Sequence, residues 1–160
     1  MKKIKVLFIC MGNICRSPTA HGVFEQLLEQ HGLAHAVAVD SAGTHAYHVG
    51  EAPDKRSQQV ARERGYELGH LRARRVENRD FEDFDYVLAM DNDNYNLLAA
   101  QCPGHQQDKL QMFLDYAQNF SEREVPDPYY GGARGFQHVL DLVEDAALGL
   151  IHDIQRRHLS

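Results

Sequence analysis

Strand-like and helix-like patterns alternate along this chain from its very start, and few architectures accept such an order. Ile4 to Ile9 is a strand-length run of β-branched and apolar residues. A polar turn follows, Cys10-Met11-Gly12-Asn13-Ile14-Cys15-Arg16, and Ser17 and Pro18 then stand where a helix N-cap and a first helical residue belong. Ala20, Val23, Phe24, Leu27 and Leu28 fall on one helical face, and Gly32 marks its stop. Val37 to Ala42 reads as a second strand, and a helix is expected from about Asp54 to Arg64, closed by Gly65. Asp85 to Met90 is the third strand, followed by a helix from Asn92 to Gln101, and Lys109 to Leu114 is a candidate fourth strand. The last helix carries Phe136, Val139, Leu140, Val143, Ala147, Leu150, Ile151 and Ile154 on one stripe. Alternation of this kind implies an α/β fold whose parallel sheet is covered on both faces.

The 160 residues suffice for one domain with a real core, and no internal repeat, linker or low-complexity segment divides them. The expectation is one domain over residues 1–160. The apolar run near the N-terminus is far too short for a membrane span and lacks the form of a signal peptide, so the cytoplasm is the expected location. Three cysteines, Cys10, Cys15 and Cys102, with no Cys-x-x-Cys pair, give neither a disulfide framework nor a structural zinc site. A net charge of −6 argues against general binding to nucleic acid or anionic membrane. An anionic substrate must therefore be captured by a local positive site.

The turn from Cys10 to Ser17 supplies one. In open parallel sheets, ligands bind where loops leave the carboxyl ends of the strands, and Cys10 stands at such an end. A turn between a strand and a helix N-terminus directs backbone N–H groups inward, and with the helix dipole these form an anion cradle. Arg16 adds a planar fork suited to two phosphate oxygens. The same field favours the thiolate of a cysteine at the rim, and the Ser17 hydroxyl is placed to donate to the sulfur. A nucleophile and a phosphate seat occur together, as phosphoryl transfer through a covalent intermediate requires. Gly12 and Asn13 suit the unusual backbone angles of such a loop.

The segment from Val6 to Ala20, Val-Leu-Phe-Ile-Cys-Met-Gly-Asn-Ile-Cys-Arg-Ser-Pro-Thr-Ala, closely resembles the signature of the low-molecular-weight protein tyrosine phosphatases. The resemblance extends through Asp40-Ser41-Ala42-Gly43-Thr44 and Ala89-Met90-Asp91 to Pro126-Asp127-Pro128-Tyr129-Tyr130, covering nearly the whole chain in order. It implies a single three-layer, flavodoxin-like domain with a four-stranded parallel sheet, no metal and no cofactor, and a phosphocysteine intermediate. Residue by residue, it implies Cys10 as nucleophile, Arg16 as phosphate clamp, and Ser17 as the group that stabilises the thiolate. Asn13 would take a left-handed conformation, held by polar partners at Ser17, Ser41 and His70. Met11, Gly12, Ile14 and Cys15 would complete the phosphate-binding loop, with Met11 tuning which substrates fit. Cys15 would also form a reversible disulfide with Cys10 under peroxide.

Expelling a phenoxide-like leaving group benefits from a positioned carboxylic acid. Asp127 matches the family's general acid, and Asp91, just after the third strand, is the rival on topology alone. Tyr47 and Tyr129 match positions that wall the pocket and suit a flat phenyl ring. The expected partners are phosphotyrosine proteins or peptides, with inorganic phosphate as product, and the expected state is a monomer or at most a weak dimer. Lys55, Arg56, Arg72, Arg74 and Arg75 either attract acidic peptides or simply solvate the surface. His45 and His48 read as a polar loop rather than a metal site, as do His31 and His35 at a helix end. Three rival readings stand beside the phosphatase: an arsenate reductase, a phosphoarginine phosphatase and a phosphopeptide-binding module. The first needs further relay cysteines that the region Asp80 to Ala100 lacks. The second usually has Thr where this loop has Ile14, and the third should have lost the nucleophile, the clamp or the acid.

Overall fold

The computed structural model describes residues 3–129 and 132–159. β1 (Ile4–Cys10) leads into α1 (Arg16–Gln30), and β2 (Val37–Gly43) into α2 (Lys55–Glu63). A single turn, α3 (Asp80–Asp83), precedes β3 (Tyr86–Ala89), which runs into α4 (Asn92–Gln101). β4 (Leu110–Met112) and a long loop then lead to α5 (Ala133–His158). The four strands form one parallel sheet in the order β2-β1-β3-β4.

Strand alternation divides the core between the two faces of this sheet. Val6, Phe8 and Cys10 enter one cluster with α1 and α5, while Leu7 and Ile9 enter the other with Phe81 of α3 and Leu98 of α4. Phe8 is fully buried and meets Phe24 edge-on at 5.6 Å and Phe113 at 4.9 Å. Burying one such ring contributes roughly 1.5–3 kcal/mol. The stripe of α5 expected from its spacing is buried from Phe136 to Ile154. Gly32 ends α1 with φ of 71°, a left-handed angle that only glycine adopts at no cost.

β1, β2, α2 and β3 fall within one residue of the sequence reading at each end, and two elements differ by more. β4 is three residues long rather than Lys109 to Leu114, because it is an edge strand paired only to β3 and is bracketed by 3-10 turns at Gly104–Lys109 and Phe113–Tyr116. α1 starts at Arg16, two residues before Pro18, and its N-cap Cys15 makes no side-chain cap bond. Ser17 is therefore inside the helix, and its hydroxyl is free for another task. α3 is too short to leave a periodic signal.

β1 lies centrally, with β2 on one side and β3 on the other. The chain therefore leaves the carboxyl edge of the sheet in opposite directions, which opens a crevice beyond β1 and β3. Cys10 and Asp91 stand there. Among the described residues, no helix is long and apolar enough to cross a membrane.

Candidate active site

The loop after β1 is held from outside by its carbonyls. Cys10 O accepts from Thr44 N–H at 2.9 Å, Met11 O from His45 N–H at 3.0 Å, and Ile14 O from Asp54 N–H at 2.8 Å. Cys15 O accepts from the Thr19 hydroxyl at 2.7 Å. With the carbonyl edge used this way, the N–H edge is left to face the concavity, and α1 adds its positive N-terminal end with no acidic residue in the first turn. Gly43, paired to Cys10 in the sheet register, makes room for the loop. A Cβ there would stand 2.8 Å from Met11 O and 3.1 Å from His45 O.

Asn13 takes φ of 58°, the one non-glycine residue with positive φ among those described. Its Nδ2 donates to Ser17 Oγ at 2.8 Å, and its Oδ1 accepts from Arg74 N–H at 3.0 Å. The expected partnership with Ser17 is thus present, but the other holder is Arg74, not Ser41 or His70. Ser41 instead meets the buried His21 at 3.0 Å, and His70 is exposed beside Glu25 at 4.0 Å.

The Cys10 sulfur is almost fully buried and receives the Asn13 N–H at 3.3 Å, with Ser17 Oγ at 3.0 Å. Because Ser17 Oγ already accepts from Asn13, its own proton points toward Sγ or toward Ala42 O, and the latter is farther away at 3.5 Å. Both groups direct a proton at the sulfur. Arg16 is 3 % exposed; its Nη1 donates to Asp91 Oδ2 at 2.5 Å and to Val125 O at 3.1 Å, and Nη2 lies 3.8 Å from Asp127 Oδ2. Burial alone would weaken its hold on the proton, but the Cys10 sulfur and the carboxylates of Asp91 and Asp127 outweigh it and raise the pKa. Asp91 is therefore occupied as the partner of the clamp.

Asp127 sits on the loop before α5, which is tied to the end of β3 by Val125 N–H donating to Met90 O at 2.7 Å. Its Oδ1 accepts from Tyr129 N–H at 3.1 Å in an Asx turn, and Oδ2 faces Arg16. The Arg56 guanidinium lies over the rings of Tyr129, at 5.4 Å, and Phe136, at 4.6 Å, and donates to Tyr129 O at 3.0 Å. Tyr47 stacks on His45 with ring centres 5.0 Å apart. Cys10, Met11, Gly12, Ile14, Cys15 and Arg16 line the floor of a cavity of about 200 Å³, and Tyr47, His48, Asp127 and Tyr129 form its sides. Asn13 and Ser17 lie behind the floor, both buried. Tyr130 is outside the described residues.

Cys15 is buried and lines the same cavity as Cys10, and its thiol is pushed up to about 12, first by burial and then by the charge of Asp54. Cys102 belongs to the core on the opposite face of the sheet from Cys10 and Cys15. Among the described residues, no three His, Cys, Asp or Glu side chains converge as a metal site.

The sequence reading missed two neighbours of this pocket. His48 is a side wall, fixed by Glu51 at 2.8 Å, and only a loop histidine near Tyr47 announced it. Asp91 was weighed as an acid rather than as the partner of Arg16. Its place two residues after the end of β3, capping α4, was the available signal. Of the basic set, Arg74 bridges Asp40 at 3.1 Å and Asp80 at 3.0 Å, Arg56 is engaged with Asp54 and Tyr129, and Arg72 donates to Gly69 O and Leu71 O, while Lys55 and Arg75 are exposed.

The family model described as low molecular weight phosphotyrosine protein phosphatase matches residues 5–159. The slr0328 protein of Synechocystis sp. is 49% identical over 149 residues, spanning 92% of this chain and 94% of that protein. The low molecular weight phosphotyrosine protein phosphatase of Schizosaccharomyces pombe is 44% identical over 136 residues, spanning 84% of this chain and 86% of its own. A protein tyrosine phosphatase from Entamoeba histolytica, solved with Hepes in its active site, superimposes with a TM-score of 0.94 at 43% identity, covering 96% of this chain and 98% of that one.

Proposed function

The chain belongs to the low molecular weight phosphotyrosine protein phosphatases, and from that we propose how its own side chains divide the hydrolysis of a phosphotyrosine ester. The family's reaction is cysteine-based, and its substrate is phosphotyrosine. The observation that carries the assignment is the sulfur of Cys10, met by Ser17 Oγ at 3.0 Å and Asn13 N–H at 3.3 Å, in one cavity with Arg16 and Asp127.

The phosphoryl oxygens rest on the N–H edge of the loop and the fork of Arg16. The Cys10 thiolate attacks phosphorus in line, an S–P bond forms and the bond to the tyrosyl oxygen breaks. Asp127, 3.8 Å from the clamp, gives its proton to that oxygen. Asp127 then takes a proton from a water that attacks the phosphocysteine, the S–P bond breaks, and inorganic phosphate leaves with the thiolate restored. Met11, Gly12, Asn13, Ile14, Cys15 and Ser17 shape or line the phosphate seat. Tyr47 and Tyr129 flank the ring, and the depth of the slot favours phosphotyrosine over the shorter phosphoserine.

The substrates are phosphotyrosine proteins or peptides of the cytoplasm. The proposed state is a monomer or at most a weak dimer. Under peroxide, Cys10 oxidised to the sulfenic acid condenses with the Cys15 thiol to a disulfide with loss of water, which spares it from further oxidation. The position of Cys102 across the sheet supports no thiol relay from Cys10.

Hydrolysis of phosphotyrosine, phosphoserine and phosphoarginine peptides without added metal, beside Cys10→Ser, tests the assignment. Selective phosphotyrosine turnover that is lost in the variant is expected. A preference for phosphoarginine would show that an apolar Ile14 does not favour a phenyl ring over a guanidinium, and turnover in Cys10→Ser would remove Cys10 as nucleophile.

A further inference from the structure

A second cleft of about 570 Å³ adjoins the phosphate pocket and shares Met11, Arg16 and Asp127 with it. Its far side is the first two turns of α4, where Asp93 and Leu97, four residues apart, lie on one helical face. His45, stacked on Tyr47, stands between this cleft and the aromatic walls. Arg16 already donates to Asp91, so the lining presents Asp93 and Asp127 with no comparable excess of positive charge.

Acidic residues alone would not make a site, but Asn94 adds an independent observation. Its side chain is 2 % exposed and lines this cleft, and its Oδ1 is the one buried side-chain N or O atom without a hydrogen-bond partner among the described residues. A buried carbonyl oxygen left unpaired carries its desolvation cost without return, and the residue that holds it lines this cleft. Leu97, half exposed, and Met11 offer apolar surface beside these acceptors. A long aliphatic stem ending in a cationic donor matches both halves of this lining.

We propose that the cleft receives a side chain of the substrate next to the phosphotyrosine and selects arginine or lysine there. The cation is drawn by Asp93 and donates to Asn94 Oδ1, while its stem lies on Leu97. The inference rests on the phosphotyrosine phosphatase reading of the adjoining pocket and specifies its substrate class.

The test is kcat/KM on three phosphotyrosine peptide series, with Arg, Ala or Glu placed at the two positions on either side of the phosphotyrosine, measured on the wild type, Asp93→Asn and Asn94→Leu. The wild type is expected to prefer Arg over Glu at one of these positions by roughly tenfold or more. That ratio should fall toward unity in both variants, and raised salt should shrink it. Because the ratio compares two substrates on one enzyme, loss of folded protein cancels from it. Equal turnover of the Arg and Glu series by the wild type would overturn the proposal, and so would a preference that survives in Asp93→Asn. Either result leaves the phosphatase reading standing, because that reading fails only if the wild type turns over none of the peptides and no free phosphotyrosine.

Discussion

Asp91 binds the clamp and a helix with the same carboxylate: Oδ2 accepts from Arg16 Nη1 at 2.5 Å, and Oδ1 accepts from Asn94 N–H at 2.7 Å as the N-cap of α4. The guanidinium is thereby referred to the end of β3, across the crevice from the loop that carries it. A buried cation stripped of its partner is costly, and a phosphate clamp displaced by about 1 Å loses on the order of 10²-fold in rate. Asp91→Ala is expected to lower kcat/KM by roughly that factor for phosphotyrosine and p-nitrophenyl phosphate alike. A loss confined to phosphotyrosine would make Asp91 the proton donor instead of the partner of Arg16.

Asp127→Asn should behave differently, because it removes a proton donor and leaves the phosphate seat intact. The expected loss is about 10²–10⁴-fold with phosphotyrosine and distinctly smaller with p-nitrophenyl phosphate, whose leaving group needs little protonation. The comparison of the two variants over the two esters separates acid from positioner. Equal losses for Asp127→Asn on both esters would contradict its role as acid.

The fold and the site were legible in the sequence to different depths. Strand and helix periods gave the sheet, because burial on both faces leaves continuous apolar runs such as Val6 to Cys10. The anion loop was legible because its residues are contiguous, from Cys10 to Ser17. What lay hidden was assembled from distant segments. Arg74 reaches Asn13 through a backbone N–H, a contact blind to side-chain type, and thus Ser41 and His70 were expected in its place. Pro18 suggested a helix start two residues too late. The helix instead begins at Arg16, so that Ser17 turns its hydroxyl to Cys10 rather than capping α1.

Gly43→Ala should damage the site without touching any group that reacts. The new Cβ would meet backbone atoms, Met11 O at 2.8 Å and Gly12 C at 3.2 Å, which cannot swing aside as a side chain tip would. The loop must shift, at a cost of about 1–3 kcal/mol. Urea unfolding and kcat should both fall. Gly104→Ala, where a Cβ meets nothing within 4 Å, is the control and should stay within about 0.5 kcal/mol. Equal midpoints for the two variants would mean that the loop yields freely.

Alkaline pH should unfold the protein partly through Cys15. Burial first, and then the charge of Asp54, raise its pKa from 9.0 to about 12, so the folded state binds the thiol proton more tightly than the unfolded chain does. Stability from a raised pKa is fully present below the unfolded value and is lost as pH climbs toward the folded one. The window here runs from about 9 to about 12. Tyr66, Tyr86 and Tyr116 are likewise raised, by burial in the first place, and add to the same alkaline limb. Cys15→Ala removes one contributor and leaves the tyrosines. The urea midpoint of the wild type relative to Cys15→Ala should therefore hold steady below pH 9 and decline above it. In Cys10→Ser/Cys102→Ser, iodoacetamide should reach the remaining thiol slowly at neutral pH and faster as pH rises through the same window. A difference in midpoint that did not change across the window would show that Cys15 titrates alike in the folded and unfolded chains, and that its burial does not hold the proton.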